Sequence, residues 1–76
     1  MKEKYLELKE KYSDRRDEYN PIFIFQSVPT ELLAAITTGE LDAKELAEIE
    51  LMNRGRDEYG KWIGFDKAEE YWQNRA

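Results

Sequence analysis

The chain is expected to fold as a small, mainly α-helical domain of about four helices, and three observations carry that expectation. Apolar residues recur at helical spacing near both ends of the chain, Asp42 and Asp66 each precede a glutamate by three residues where a helix would begin, and Gly39 and Gly55 stand where helices would end. The 76 residues are expected to make a single domain, with an N-terminal helix over 1–19 that protrudes or pairs and a compact acidic body over 20–76. A minimal two-stranded element, Ile22–Phe25 beside Lys61–Ile63, is the β structure the pattern admits.

The N-terminal helix is placed over about residues 2 to 18, where Met1, Tyr5, Leu8, Tyr12 and Tyr19 recur three, four or seven apart among mixed charges. A stripe this narrow either docks on the body or forms a pairing seam, with Tyr5, Leu8 and Tyr12 at its centre and a second copy or a partner as the other side. Pro21 then opens Ile22-Phe23-Ile24-Phe25, whose β-branched and aromatic character reads as a short strand or a buried extended crossing. Val28-Pro29 marks the next helix start, which runs through Thr38, closes at Gly39 and buries Leu32, Leu33 and Ile36.

Asp42 and Glu45 predict a third helix from Ala43 to Arg54. Projected at 100° per residue, its apolar face holds Ala43, Leu46, Ala47 and Leu51, with Glu50 and Arg54 among them. Acid four residues before base favours an intrahelical bridge, while the alternative is a recessed Glu50 carboxylate suited to acid–base work. The opposite face presents Lys44, Glu45, Glu48 and Met52 to solvent.

Around Asn53–Ala68 the chain concentrates three of its four glycines. Gly55 closes the third helix, Asp57-Glu58-Tyr59-Gly60 forms a turn, and Lys61-Trp62-Ile63 is extended. Asp66 caps a last helix from Lys67 to about Arg75, which points Ala68, Tyr71, Trp72 and Arg75 one way. Trp62, Phe65, Tyr71 and Trp72 are the expected core.

Composition narrows the function. With no histidine and no cysteine, the commonest general base, metal ligands and thiolate chemistry are missing, and neither a phosphate loop nor a nucleophile with its base is visible. No cofactor, metal or catalytic residue is therefore expected. No apolar run is long enough to span a bilayer, and the N-terminus lacks the apolar core of a signal peptide, so a soluble cytoplasmic protein is expected. Net charge is −5, and residues 1–19 carry six basic against six acidic side chains, so the whole excess lies beyond them. Such a body repels phosphate backbones and attracts basic surfaces. A calcium loop over Gly55–Asp66 would have too few oxygen ligands, and the helix after Gly39 is too acidic to serve as a recognition helix.

Leu46-Ala47, Glu50-Leu51, Arg54-Gly55, Asp57, Gly60-Lys61-Trp62-Ile63-Gly64-Phe65 and Ala68 together resemble a signature of small, mostly uncharacterised proteins of plasmids, phages and other mobile elements. The resemblance covers roughly the C-terminal half, and Arg56 departs from it at a position that would be apolar. It implies a mobile-element origin and an accessory or anti-defence role, such as that of an anti-CRISPR. The leading expectation is a non-enzymatic inhibitor that binds a basic, nucleic-acid-handling protein through Glu45, Glu48, Met52, Asp57, Glu58 and Tyr59. The alternative is a dimeric helical DNA-binding or regulatory module paired through its first helix; hydrolysis through Glu50 comes third.

Overall fold

Where a short strand or a buried extended crossing was expected at residues 22–25, the chain is helical. The computed structural model describes residues 1–75, and its elements are α1 (Lys2–Lys11), a 3-10 turn (Asp17–Tyr19), α2 (Pro21–Gln26), α3 (Thr30–Thr37), α4 (Ala43–Asn53) and α5 (Phe65–Gln73). The fold is mainly helical, as expected, with five α-helices among the described residues where about four were expected. The β structure among the described residues is one isolated antiparallel bridge, Arg56 with Trp62, so the expected ribbon of Ile22–Phe25 with Lys61–Ile63 does not form. Packing divides the chain into two compact units, a first over Met1–Ala34 and a second from Ala35 onward, with the division inside α3.

In the first unit α1 stops at Lys11, seven residues before the expected end. Both the backbone N–H and the hydroxyl of Ser13 turn back to the Glu10 carbonyl, at 3.3 and 2.9 Å, and this local bonding competes with helix continuation. Asn20 then starts α2. Its side-chain oxygen accepts from the Ile22 N–H at 3.0 Å while its amide donates to the Tyr12 carbonyl at 3.3 Å, so one residue caps α2 and ties its start to the end of α1. Pro21 occupies the first helical position, where its fixed φ suits the helix and its missing N–H costs nothing.

The second unit is built around α4 and α5, which pack on each other. Asp42 caps α4 as expected, accepting from the N–H groups of Lys44 (2.9 Å) and Glu45 (3.2 Å). Gly55 follows in the left-handed region at φ +71°, buried under the Trp62 ring, and its carbonyl accepts from Ile63 at 2.9 Å and Gly64 at 3.2 Å. The Asp57 carboxylate organises the turn between, taking the N–H groups of Tyr59 (2.9 Å) and Lys61 (3.0 Å). Arg56, the residue that departs from the apolar pattern, donates its guanidinium to the Gly60 carbonyl at 2.8 Å and closes that turn from outside.

α5 begins at Phe65, two residues before the expected start, because the Gly64 carbonyl rather than the Asp66 side chain opens it by accepting from Ala68 at 2.9 Å. Asp66 lies inside the first turn, where its charge favours the helix dipole. Ala68 is fully buried. The expected aromatic core is only half right: Tyr71 and Trp72 are half-buried, but Trp62 and Phe65 remain 53% and 63% exposed as an edge-to-face pair with centroids 5.1 Å apart.

Candidate partner-binding site

α4 buries only part of the face its sequence suggests, with Leu51 half-buried and its other apolar members exposed. Ala43, Leu46 and Ala47 are exposed, whereas Glu48, Leu51 and Met52 are half-buried and lead to buried Gly55 at spacings of three, four and seven. Alanines contribute little apolar area, and the apolar burial on α4 falls to Leu51 and Met52, while Ile49 remains 43% exposed. The face expected to stand free in solvent is thus the one that, with α5, encloses a cleft of about 420 Å³ lined by Asp42, Lys44, Glu45, Glu48, Ile49, Met52, Trp72, Gln73 and Arg75.

Each wall has a local reason. Glu45, Glu48, Ile49 and Met52 follow at zero, three, four and seven residues along α4, which stacks two carboxylates and two apolar side chains on one face. Trp72 is fixed from the other side, because its indole N–H donates to the Arg56 carbonyl at 2.8 Å and its ring meets Tyr71 edge-to-face at 5.1 Å. Gln73 donates to the Glu69 carboxylate at 3.3 Å.

The cleft's charges are unequal in availability. Arg75 bridges to Glu58 and to the Tyr71 hydroxyl, each at 2.6 Å, with its guanidinium 5.3 Å from the centroids of both the Tyr71 and Trp72 rings. The Glu58 hydrogen bond, then that of Tyr71, raises its pKa above the ordinary arginine value. Glu45 and Glu48 make no ion pair among the described residues. With Arg75 engaged and the Asp42 carboxylate capping α4, the cleft offers the carboxylates of Glu45 and Glu48 against the single ammonium of Lys44. They do not converge as a metal site: no group of three or more His, Cys, Asp or Glu among the described residues could hold a metal ion.

The six expected partner-binding residues separate into two sets. Glu45, Glu48 and Met52 line the cleft together, and Glu58 is joined to it through Arg75. Asp57 is half-buried and committed to its turn, and Tyr59 stands 86% exposed outside the cleft. Ile49, Trp72, Gln73 and Arg75 were not anticipated, although the repeat of Glu45, Glu48, Ile49 and Met52 along one helix face was a readable signal. Glu50 is no recessed carboxylate. It meets the Arg54 Nε at 2.8 Å with both side chains more than half exposed, 57% and 66%, so the bridge forms but without the expected burial.

In the first unit, Tyr5 and Leu8 line a cleft of about 510 Å³ with Pro21, Ile22, Phe25 and Gln26. Tyr12, the third residue of the expected seam, lies outside it, with Lys11 and Arg15 cations 5.4 and 4.7 Å from its ring. Among the described residues, no helix is long and apolar enough to cross a membrane. No protein-family model, curated protein or solved structure matches the chain.

Proposed function

We propose that the protein is a non-enzymatic binding protein whose α4–α5 cleft docks onto the basic surface of a nucleic-acid-handling protein and inhibits or modulates it. The observation that carries this reading is the cleft itself, in which the unpaired carboxylates of Glu45 and Glu48 stand beside the apolar surfaces of Ile49, Met52 and Trp72. Apolar and aromatic anchors supply burial at an interface, while charges around them speed encounter and select the partner. Net charge of −5 adds long-range attraction to basic surfaces and repulsion from phosphate backbones. The C-terminal signature that resembles mobile-element proteins supports an accessory role of the anti-defence kind.

The test compares wild type with Glu45→Lys/Glu48→Lys, each immobilised and exposed to a lysate of cells carrying defence systems. The reading expects basic nucleic-acid-binding proteins that elute with rising salt and are lost with the double variant. Equal capture by both would place the interface elsewhere.

A second reading is favoured by the first unit, where the apolar α1–α2 cleft adjoins the electrically balanced segment 1–19. Two copies pairing there would bring together segments without net charge, giving a dimeric DNA-binding or regulatory module. Light scattering on wild type and Leu8→Glu, with a duplex DNA mobility shift, decides it. A monomeric mass and no shift remove this reading.

A further inference from the structure

The proposed cleft can be narrowed to one kind of side chain. We infer that it accepts an arginine of the partner, its guanidinium shared between Glu45 and Glu48 and an aliphatic neighbour seated on Ile49, Met52 and Trp72. This inference rests on the α4–α5 cleft being the docking surface. Residues three apart on a helix are neighbours, about 5–6 Å apart at Cβ, so a single cationic group can reach both carboxylates. A guanidinium carries five N–H donors in a flat fork, and its edges can serve two carboxylates at once.

Among the described residues, no cation forms an ion pair with Glu45 or Glu48. Arg75 is held by Glu58 and Tyr71, and Glu45 and Glu48 pair with neither it nor Lys44. Arg75 shows a guanidinium at the edge of the same cleft combining a carboxylate, a hydroxyl and two aromatic rings. Apolar surface beside the acids matters equally. Ile49, Met52 and Trp72 give the aliphatic stem of an arginine and a leucine-like neighbour a surface to cover, whereas a purely polar acidic patch would hold a hydrated cation only weakly.

The inference is tested on the full chain with three blocked heptapeptides in which leucine alternates with arginine, with lysine or with citrulline, the last keeping the shape of arginine without its charge. The reporter is the indole N–H resonance of Trp72, distinguished from that of Trp62 by a Trp62→Phe variant. The arginine peptide is expected to shift the Trp72 signal and to bind about tenfold more tightly than the lysine peptide, a difference that Glu45→Gln/Glu48→Gln removes. The citrulline peptide is expected to bind weakly to both proteins. A silent Trp72 signal, equal response to arginine and lysine, or full binding to the glutamine variant would each overturn the inference. If it is overturned while Glu45→Lys/Glu48→Lys still loses its basic partner, the broader docking reading stands; if that variant keeps the partner, the docking reading has failed as well.

Discussion

Gly55 joins two constraints that no other residue satisfies together: a left-handed backbone at φ +71° and no space for a Cβ, which would run into the Trp62 ring. Gly55→Val should therefore destabilise the protein by about 1–3 kcal/mol for the backbone alone, with ring displacement adding to it. Chemical denaturation measures this, and an unchanged midpoint would contradict the account of the loop. The backbone requirement was legible from Asn53-Arg54-Gly55 at the end of a helical run; the ring contact was not, because it depends on the Arg56–Trp62 bridge. Arg54 carries the opposite lesson. The sequence correctly pairs it with Glu50 but makes the pair part of a buried face, whereas both side chains are more than half exposed. Arg54→Ala should consequently cost ~0–1 kcal/mol, the range of solvated pairs, and a larger loss of stability would show that the bridge is shielded from water.

α4 was readable because a residue with a capping side chain precedes it. Asp42 is that residue, and Asp42→Ala should cost about 0.5–2 kcal/mol, seen as a lower thermal midpoint, because two N–H groups of α4 lose their acceptor. Asn20→Ala should cost a similar ~0.5–2 kcal/mol by removing the cap of α2, and loosened amide protection in residues 22–24 would locate the effect. If Asn20→Ala left that protection unchanged, α2 would not depend on its cap. The helix at α2 was missed for an identifiable reason. Ile22-Phe23-Ile24-Phe25 has strand composition but is too short for its period to decide, and the deciding signal was the preceding Asn20-Pro21, a cap followed by a residue suited to the first helical position. For α5 the error ran the other way: the Asp66-to-Glu69 spacing imitates a cap, while the backbone of Gly64 opens the helix two residues earlier. α4 shows the limit of a projection. Its apolar residues fall on more than one face, and only α5 determines which face is covered.

For the molecule as a whole, the sequence located the acidic excess and singled out Glu45, Glu48 and Met52, but it placed them on an open surface rather than in the wall of a cleft. The opposing wall comes from Trp72, Gln73 and Arg75, twenty or more residues later, and sequence spacing carries no information about that meeting. The proposed function stands on two carboxylates that make no ion pair among the described residues beside apolar surface, and on a net charge of −5 suited to basic partners. The measurement that tests it most directly is the association rate of a captured basic partner with wild type and with Glu45→Lys/Glu48→Lys across a salt series, circular dichroism having shown that both proteins are folded. The account predicts slower association and a shallower salt dependence for the double variant. Equal rates and equal salt slopes for the two folded proteins would contradict it.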